Sequence, residues 1–137
     1  MKENDMQQKY VELQMIESQL KQLQQQFASI DQQVNALKKI DEDLSEFEKV
    51  KEDSKMFFSL GPGIFAEGTI NSKDLLLNVG SSISIKKSIP ETKTLIGTQV
   101  KELDELLLKM QEDMQIAGIR GQEIQQEIME MNAKKDK

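Results

Sequence analysis

Three groupings of residues in this 137-residue chain have types and spacing that bear on chemistry. The first is Gly63-Ile64-Phe65-Ala66-Glu67-Gly68-Thr69, which has the glycine spacing of a phosphate-cradling loop. Thr69 follows Gly68 directly, so the lysine that would meet the outer phosphates is missing. The stretch also alternates like a strand and opens no helix, which makes it a strand. The second grouping is Asp41-Glu42-Asp43 with Glu46 and Glu48. A calcium loop needs glycine at its sixth position, and Glu46 stands there. These acids fall on helical periodicity and read as a solvated helix face. The third grouping is methionine: Met1, Met6, Met15, Met129 and Met131 gather at the two chain ends. Thioether side chains are flexible and polarisable and suit surfaces that bind varied partners.

What is absent narrows the chemistry further. With no histidine and no cysteine, imidazole acid–base catalysis, thiol nucleophiles, disulfides and the usual zinc and haem ligands are excluded. No nucleophile–base pair stands in their place. The sequence therefore predicts no enzyme, no catalytic residue, no cofactor and no metal site. A net charge of −6 disfavours nucleic acid, whose phosphates need a positive surface. No apolar run approaches the roughly 18 residues of a membrane span. The first residues, Met1-Lys2-Glu3-Asn4-Asp5, lack the apolar core of a signal peptide, so the expected compartment is the cytoplasm.

Only 37% of the residues are hydrophobic and 31% are charged, which suits long polar helices with a narrow apolar seam better than a globule. Residues 1–52 follow a heptad. Its a positions are Met6, Leu13, Leu20, Phe27, Val34 and Asp41; its d positions are Lys9, Ile16, Leu23, Ile30, Leu37 and Leu44. Such a sustained 3–4 repeat means a coiled coil. Residues 89–135 repeat the pattern, with Val100, Leu107, Met114, Gly121 and Ile128 at a. Ile96, Leu103, Met110, Ala117, Ile124 and Met131 take the d positions. Ser88 is placed to cap this second helix and Glu91 to close a capping box. Each helix spans about 68 Å at the α-helical rise. If residues near 52 and 91 meet at the base of an antiparallel hairpin, Phe27 faces Ala117–Gly121, whose small residues would make room for it.

Both prolines and glycines 61, 63, 68 and 80 fall within residues 61–90, and residues 56–88 between the helices read as two β-hairpins. The strands are Met56–Leu60, Ile64–Ile70, Leu75–Val79 with Leu75, Leu77 and Val79 on one face, and a fourth around Ile83 and Ile85. Pro62 and Gly63 suit a type II turn. Four short strands with open edges cannot make a self-sufficient core, so they need partners. The assembly residues expected from this are Phe57, Phe58, Leu60, Ile64, Phe65, Leu75, Leu77, Val79, Ile83 and Ile85. Off the helical seam, Tyr10, Val11, Met15 and Met129 are apolar near the chain ends, with Ile116 and Ile119 further along the second helix. With the seam residues Met6, Ile124, Ile128 and Met131, which fraying of the terminal turns would open, the end group forms a candidate binding tip.

Ser59-Leu60-Gly61-Pro62-Gly63-Ile64-Phe65 and Leu75-Leu76-Leu77-Asn78-Val79-Gly80-Ser81-Ser82, followed by Ile85-Lys86-Lys87, resemble the hairpin segments of α-class prefoldin subunits. The two-hairpin insert separates that class from the one-hairpin β class. Ser82 stands where the family often has a second glycine, a change to the turn more than to the fold. The resemblance implies a mainly α fold over a single domain, residues 1–137: a coiled-coil hairpin whose two β-hairpins join an oligomeric β-barrel. It implies an ATP-independent holdase in a hexamer of two α-class and four β-class subunits. Apolar tips would capture non-native client proteins and deliver them to a group II chaperonin. The rival expectation is a structural coiled-coil tether that multimerises through its β-insert.

Overall fold

The computed structural model describes residues 2–135. Helix α1 runs Lys2–Lys49 and helix α2 Ile89–Lys135; between them lie β1 (Lys55–Gly61), β2 (Ile64–Thr69), β3 (Leu75–Gly80) and β4 (Ile83–Lys87). The strands form two separate two-stranded antiparallel sheets, β1–β2 and β3–β4. Two compact units emerge. Met1–Val34 with Glu102–Lys137 is the first, and Asn35–Lys101 is the second.

The heptads set the burial of both helices. Every a and d position from Met6 to Leu44 in α1 and from Ile96 to Met131 in α2 is buried or half-buried, including the two polar ones, Lys9 and Asp41. In the first unit the core is Ile16, Ile124 and Ile128, with Leu13, Leu20 and Ala117 packed on it. The antiparallel register differs from the one expected. Gly121 faces Ile16 and Leu13, and an added Cβ there would lie 3.6 Å from Ile16 and 3.9 Å from Leu13. Phe27 therefore does not face Ala117–Gly121. The physical reason lies at the helix ends, because α1 stops at Lys49 and α2 starts at Ile89, earlier than residues 52 and 91.

Local chemistry explains those ends. After Lys49, Asp53 adopts a left-handed φ of 65°, a conformation that a short polar side chain tolerates better than most. Its N–H donates to Ile70 O at 2.8 Å, and Ile70 N–H donates to Ser54 O at 3.0 Å, which ties the start of β1 to the end of β2. Ser88 caps helix α2 as its sequence indicates, with Glu91 N–H donating to Ser88 Oγ at 3.2 Å, but the Glu91 side chain turns to Lys87 rather than closing a capping box. The Glu91 carboxylate lies 3.6 Å from the Lys87 ammonium.

Both hairpins carry the same irregularity. Ser59 pairs with Phe65 and Gly61 with Ile64, leaving Leu60 as a bulge. Asn78 pairs with Ser84 and Gly80 with Ile83, leaving Val79 as a bulge. The turns differ. Gly63 supplies φ 73° after Pro62, whereas in the second hairpin Gly80 at φ 105° leads into Ser81 and Ser82, which adopt φ 51° and 62° at the turn itself. Two successive positive φ values define a mirror-image hairpin turn that matches strand twist. Asn78 Oδ1 accepts the Gly80 N–H at 2.9 Å beside it.

Candidate functional site

Two surfaces present more apolar area than solubility alone requires, one in each unit. The end of the first unit is built on the buried seam. Ile124 is fully buried and Ile128 is 6% exposed, so these two belong to the core. Met6 and Met131 are half-buried beside them. Off the seam, Tyr10, Val11, Met15 and Met129 are exposed, the two methionines at 67% and 70%. Heptad position explains the division, since b, c and f positions face away from the partner helix and the e position of Tyr10 only flanks the seam. Met1, grouped with these methionines by sequence, lies outside the described residues.

Charge pairs hold this end in register. Lys9, at a d position, pairs with Glu127. Arg120 meets Glu12 at 3.0 Å, Glu123 at 3.4 Å and Glu127 at 4.0 Å. The hydrogen-bonded Lys9 ammonium holds the Glu127 carboxyl below the usual glutamate range, against the opposing effect of its desolvation. Glu12 does the most to raise the Arg120 guanidinium above its ordinary value. These groups are partly open to solvent, so their value lies in geometry more than in energy. Lys9–Glu127 and Glu12–Arg120 cross from α1 to α2 and form only when the two helices are antiparallel at this one offset, whereas Glu123 and Glu127 meet Arg120 along α2 itself.

The second unit places the hairpins beside the inner ends of the helices. Met56 of β1 and Leu75 of β3 line an apolar groove with Ile40, Leu44, Phe47 and Val50. Leu75, Leu77 and Ile85 are half-buried, while Phe57, Phe58, Leu60, Ile64, Phe65, Val79 and Ile83 are exposed. Val79 leaves the Leu75–Leu77 face because it is the bulged residue of β3, and a bulge re-aims its side chain. The phenyl ring of Phe58 covers Gly68 so closely that an added Cβ would lie 2.8 Å from it. That close approach gives the two glycines of the loop-like motif their reason: Gly63 turns the chain and Gly68 admits a ring.

Sequence reading missed Leu76, 69% exposed on the other face of β3. The signal was the unbroken Leu75-Leu76-Leu77 run, which places apolar residues on both faces of one strand. Leu108, Ile40, Leu95 and Leu106 are also exposed and were not anticipated.

Formal charge separates the units. Of the ionisable residues, the first unit holds eight basic and fourteen acidic, and the second holds ten of each. The whole net charge of −6 thus resides in the first. Among the described residues no cluster of three or more acidic side chains is arranged to hold a metal ion. No described helix is long and apolar enough to cross a membrane.

Comparison with known proteins agrees with this geometry. The family model for prefoldin, described as prefoldin subunit, matches residues 16–135. The chain is 27% identical over 127 residues to prefoldin subunit alpha of Archaeoglobus fulgidus, covering 92% of this chain and 93% of that protein. It is 29% identical over 138 residues to prefoldin subunit alpha 1 of Methanocaldococcus jannaschii, covering 97% and 94%. In fold it is similar to a chain of the filamentous PFD of Methanocaldococcus jannaschii, solved by cryo-EM. The TM-score is 0.73 at 15% identity, over 82% of this chain and 94% of that one.

Proposed function

This chain belongs to the prefoldin family as an α-class subunit, and from that premise we propose that it is an ATP-independent holdase. Prefoldins are non-enzymatic chaperones. In our reading the hairpins assemble with β-class prefoldin subunits into a hexamer of two α and four β chains. The end of the first unit captures non-native polypeptides, which pass to a group II chaperonin, and the compartment is the cytoplasm.

The observation that carries this reading is the exposure of Tyr10, Val11, Met15 and Met129 around a well-packed seam. Exposing large apolar side chains forgoes about 1.5–3 kcal/mol of burial each, and much of the middle of α1 carries glutamine or charge at equivalent off-seam positions. Each patch is small, so capture is multivalent, with several arms around one client raising the effective concentration.

The test replaces Tyr10, Val11, Met15 and Met129 together with Ser or Gln in the complex with a β-class subunit. Mass and helicity are expected to hold while suppression of aggregation of a denatured client is lost. Full suppression by that variant would overturn the capture site. The same mass measurement separates a hexamer from the filament formed by the structural relative. An intact wild-type assembly that suppresses no aggregation would point to the structural tether instead.

A further inference from the structure

The solvent face of α2 in the first unit has a composition that neither the seam nor the end explains. Leu108, Ile116 and Ile119 are 60%, 66% and 51% exposed. At 100° per residue they fall within one arc of the helix, on the side away from the seam residues Leu107, Met110 and Met114. The same arc holds Asp104, Glu105, Glu112 and Glu123, all exposed. Of the basic residues between 104 and 123, Lys109 lies at the margin of the arc, one heptad before Ile116, so four acidic residues share the arc with one basic residue; Arg120 lies beyond it and is engaged with Glu12, Glu123 and Glu127. Asp104, Glu105 and Glu112 enter no ion pair among the described residues.

The corresponding stretch of α1 is a natural control. From Glu17 to Lys39 it exposes no large hydrophobic side chain and is rich in glutamine. Coiled-coil stability requires nothing of a solvent face, so the aliphatic residues on α2 are not explained by the fold. A purely apolar face would attract any apolar segment. Unpaired carboxylates among the aliphatic residues repel acidic segments and attract basic ones, and such like-charge exclusion is how an interface gains selectivity.

We propose that this face of α2 binds segments of non-native polypeptide in which aliphatic residues alternate with lysine or arginine. The inference rests on the holdase reading above and names the class of client that the subunit prefers. The occupant is basic because the face is acidic, and because the whole net charge of the chain lies in the unit that carries it. It is aliphatic because three large side chains stand uncovered there. The face extends about 30 Å over residues 104–123, enough for a segment of about nine residues in extended form.

Two fluorescent peptides with the same leucine and isoleucine positions, one with lysine and the other with glutamate between them, serve as probes. Binding is measured by anisotropy to the full chain assembled with a β-class subunit. The lysine peptide is expected to bind about tenfold more tightly at low salt, with the difference collapsing toward ~0.5 M salt as the charges are screened. Leu108→Ser, Ile116→Ser and Ile119→Ser together should weaken the lysine peptide severalfold. The isosteric pair Glu105→Gln and Glu112→Gln should shrink the preference between the peptides while leaving helicity unchanged. That pair keeps the test decisive if the triple variant loses helicity. Equal binding of the two peptides by the wild type, or an unaltered preference in the glutamine pair, overturns the inference. Neither result touches the holdase reading, which fails separately if the variant at Tyr10, Val11, Met15 and Met129 still suppresses aggregation fully.

Discussion

The two units solve the problem of apolar surface in opposite ways. The first buries its heptad residues in a narrow seam, crosses that seam with ion pairs and carries the full net charge of −6. The second has no net charge, and its two isolated two-stranded hairpins leave Phe57, Leu60, Ile64, Phe65, Leu76, Val79 and Ile83 in solvent. A charged unit with small exposed patches suits brief contact, because net charge keeps it soluble between encounters. A neutral unit with extensive exposed apolar surface suits permanent contact, since obligate interfaces resemble a core cut in half. Exposed apolar residues therefore carry separate meanings according to the charge around them.

Breaking the exposed apolar surface of the hairpins should have the larger effect. Phe57→Ser, Leu60→Ser and Phe65→Ser together are expected to abolish assembly with β-class subunits, read as mass by light scattering. Helicity of the chain should persist, because none of the three belongs to the helical seam. A complex of unchanged mass would show that the hairpins are not the interface.

Next in size is a cavity in the first unit. Ile124 is fully buried, and Ile124→Ala should cost about 2–5 kcal/mol in thermal or denaturant melting of the helices. The comparison predicts that this variant still assembles, since its lesion lies outside the second unit. A variant that melts like the wild type would remove Ile124 from the core.

Much of this division was legible in the sequence, and the parts that were not have identifiable causes. Every a and d position that heptad spacing assigned is buried or half-buried, because a 3.5-residue period records which side of a helix is dry, though Ile89 and Thr92 at the start of α2 are buried too and were not assigned. Ser88 was legible as a cap for the same local reason. Register was not. A heptad is blind to sliding by whole repeats, and the offset was set by where α1 and α2 end, which depends on the Asp53 turn. The bulges at Leu60 and Val79 were also hidden, since alternation assumes one residue per pleat. At the end of the first unit, position off the seam correctly marked Tyr10, Val11, Met15 and Met129 as exposed. Ile124 and Ile128 are closed because the seam holds through the last turns of α2.

A pair of opposite substitutions sharpens the contrast at the level of about 1 kcal/mol. Gly121→Ala in the first unit adds a methyl group at ordinary contact distance from Ile16 and Leu13 and should stabilise the helix by about 1 kcal/mol. Ser82→Gly in the second unit relieves a left-handed φ of 62° and should stabilise its hairpin by about 1 kcal/mol. Helical melting reads the first, and hydrogen exchange of the β3–β4 amides reads the second. Destabilisation by Gly121→Ala would overturn the register, because only a closer helix leaves no room for the methyl group.

The smallest expected effect distinguishes the units by pH. Glu127 in the first unit has its carboxyl lowered, first by its hydrogen bond to Lys9, while desolvation works the other way. A lowered carboxyl contributes stability that is present above the unfolded value of about 4.3 and is lost as pH falls through the lower folded value. In the second unit Lys39 is raised, first by its hydrogen bond to Asp43 at 3.1 Å. A raised ammonium contributes below the ordinary lysine value and loses that contribution as pH climbs through the folded one. The Lys9–Glu127 pair should therefore weaken on the acid side and the Lys39–Asp43 pair, within one turn of α1, on the alkaline side. Arg120 stays charged throughout and moves neither limb. Helical melting from about pH 3 to 7 should show an acid-side decline that Glu127→Gln flattens. Added salt should diminish the same decline, as expected of partly exposed pairs. A Glu127→Gln profile superimposable on the wild type would show that the Lys9 pair contributes nothing to holding the two helices at their offset.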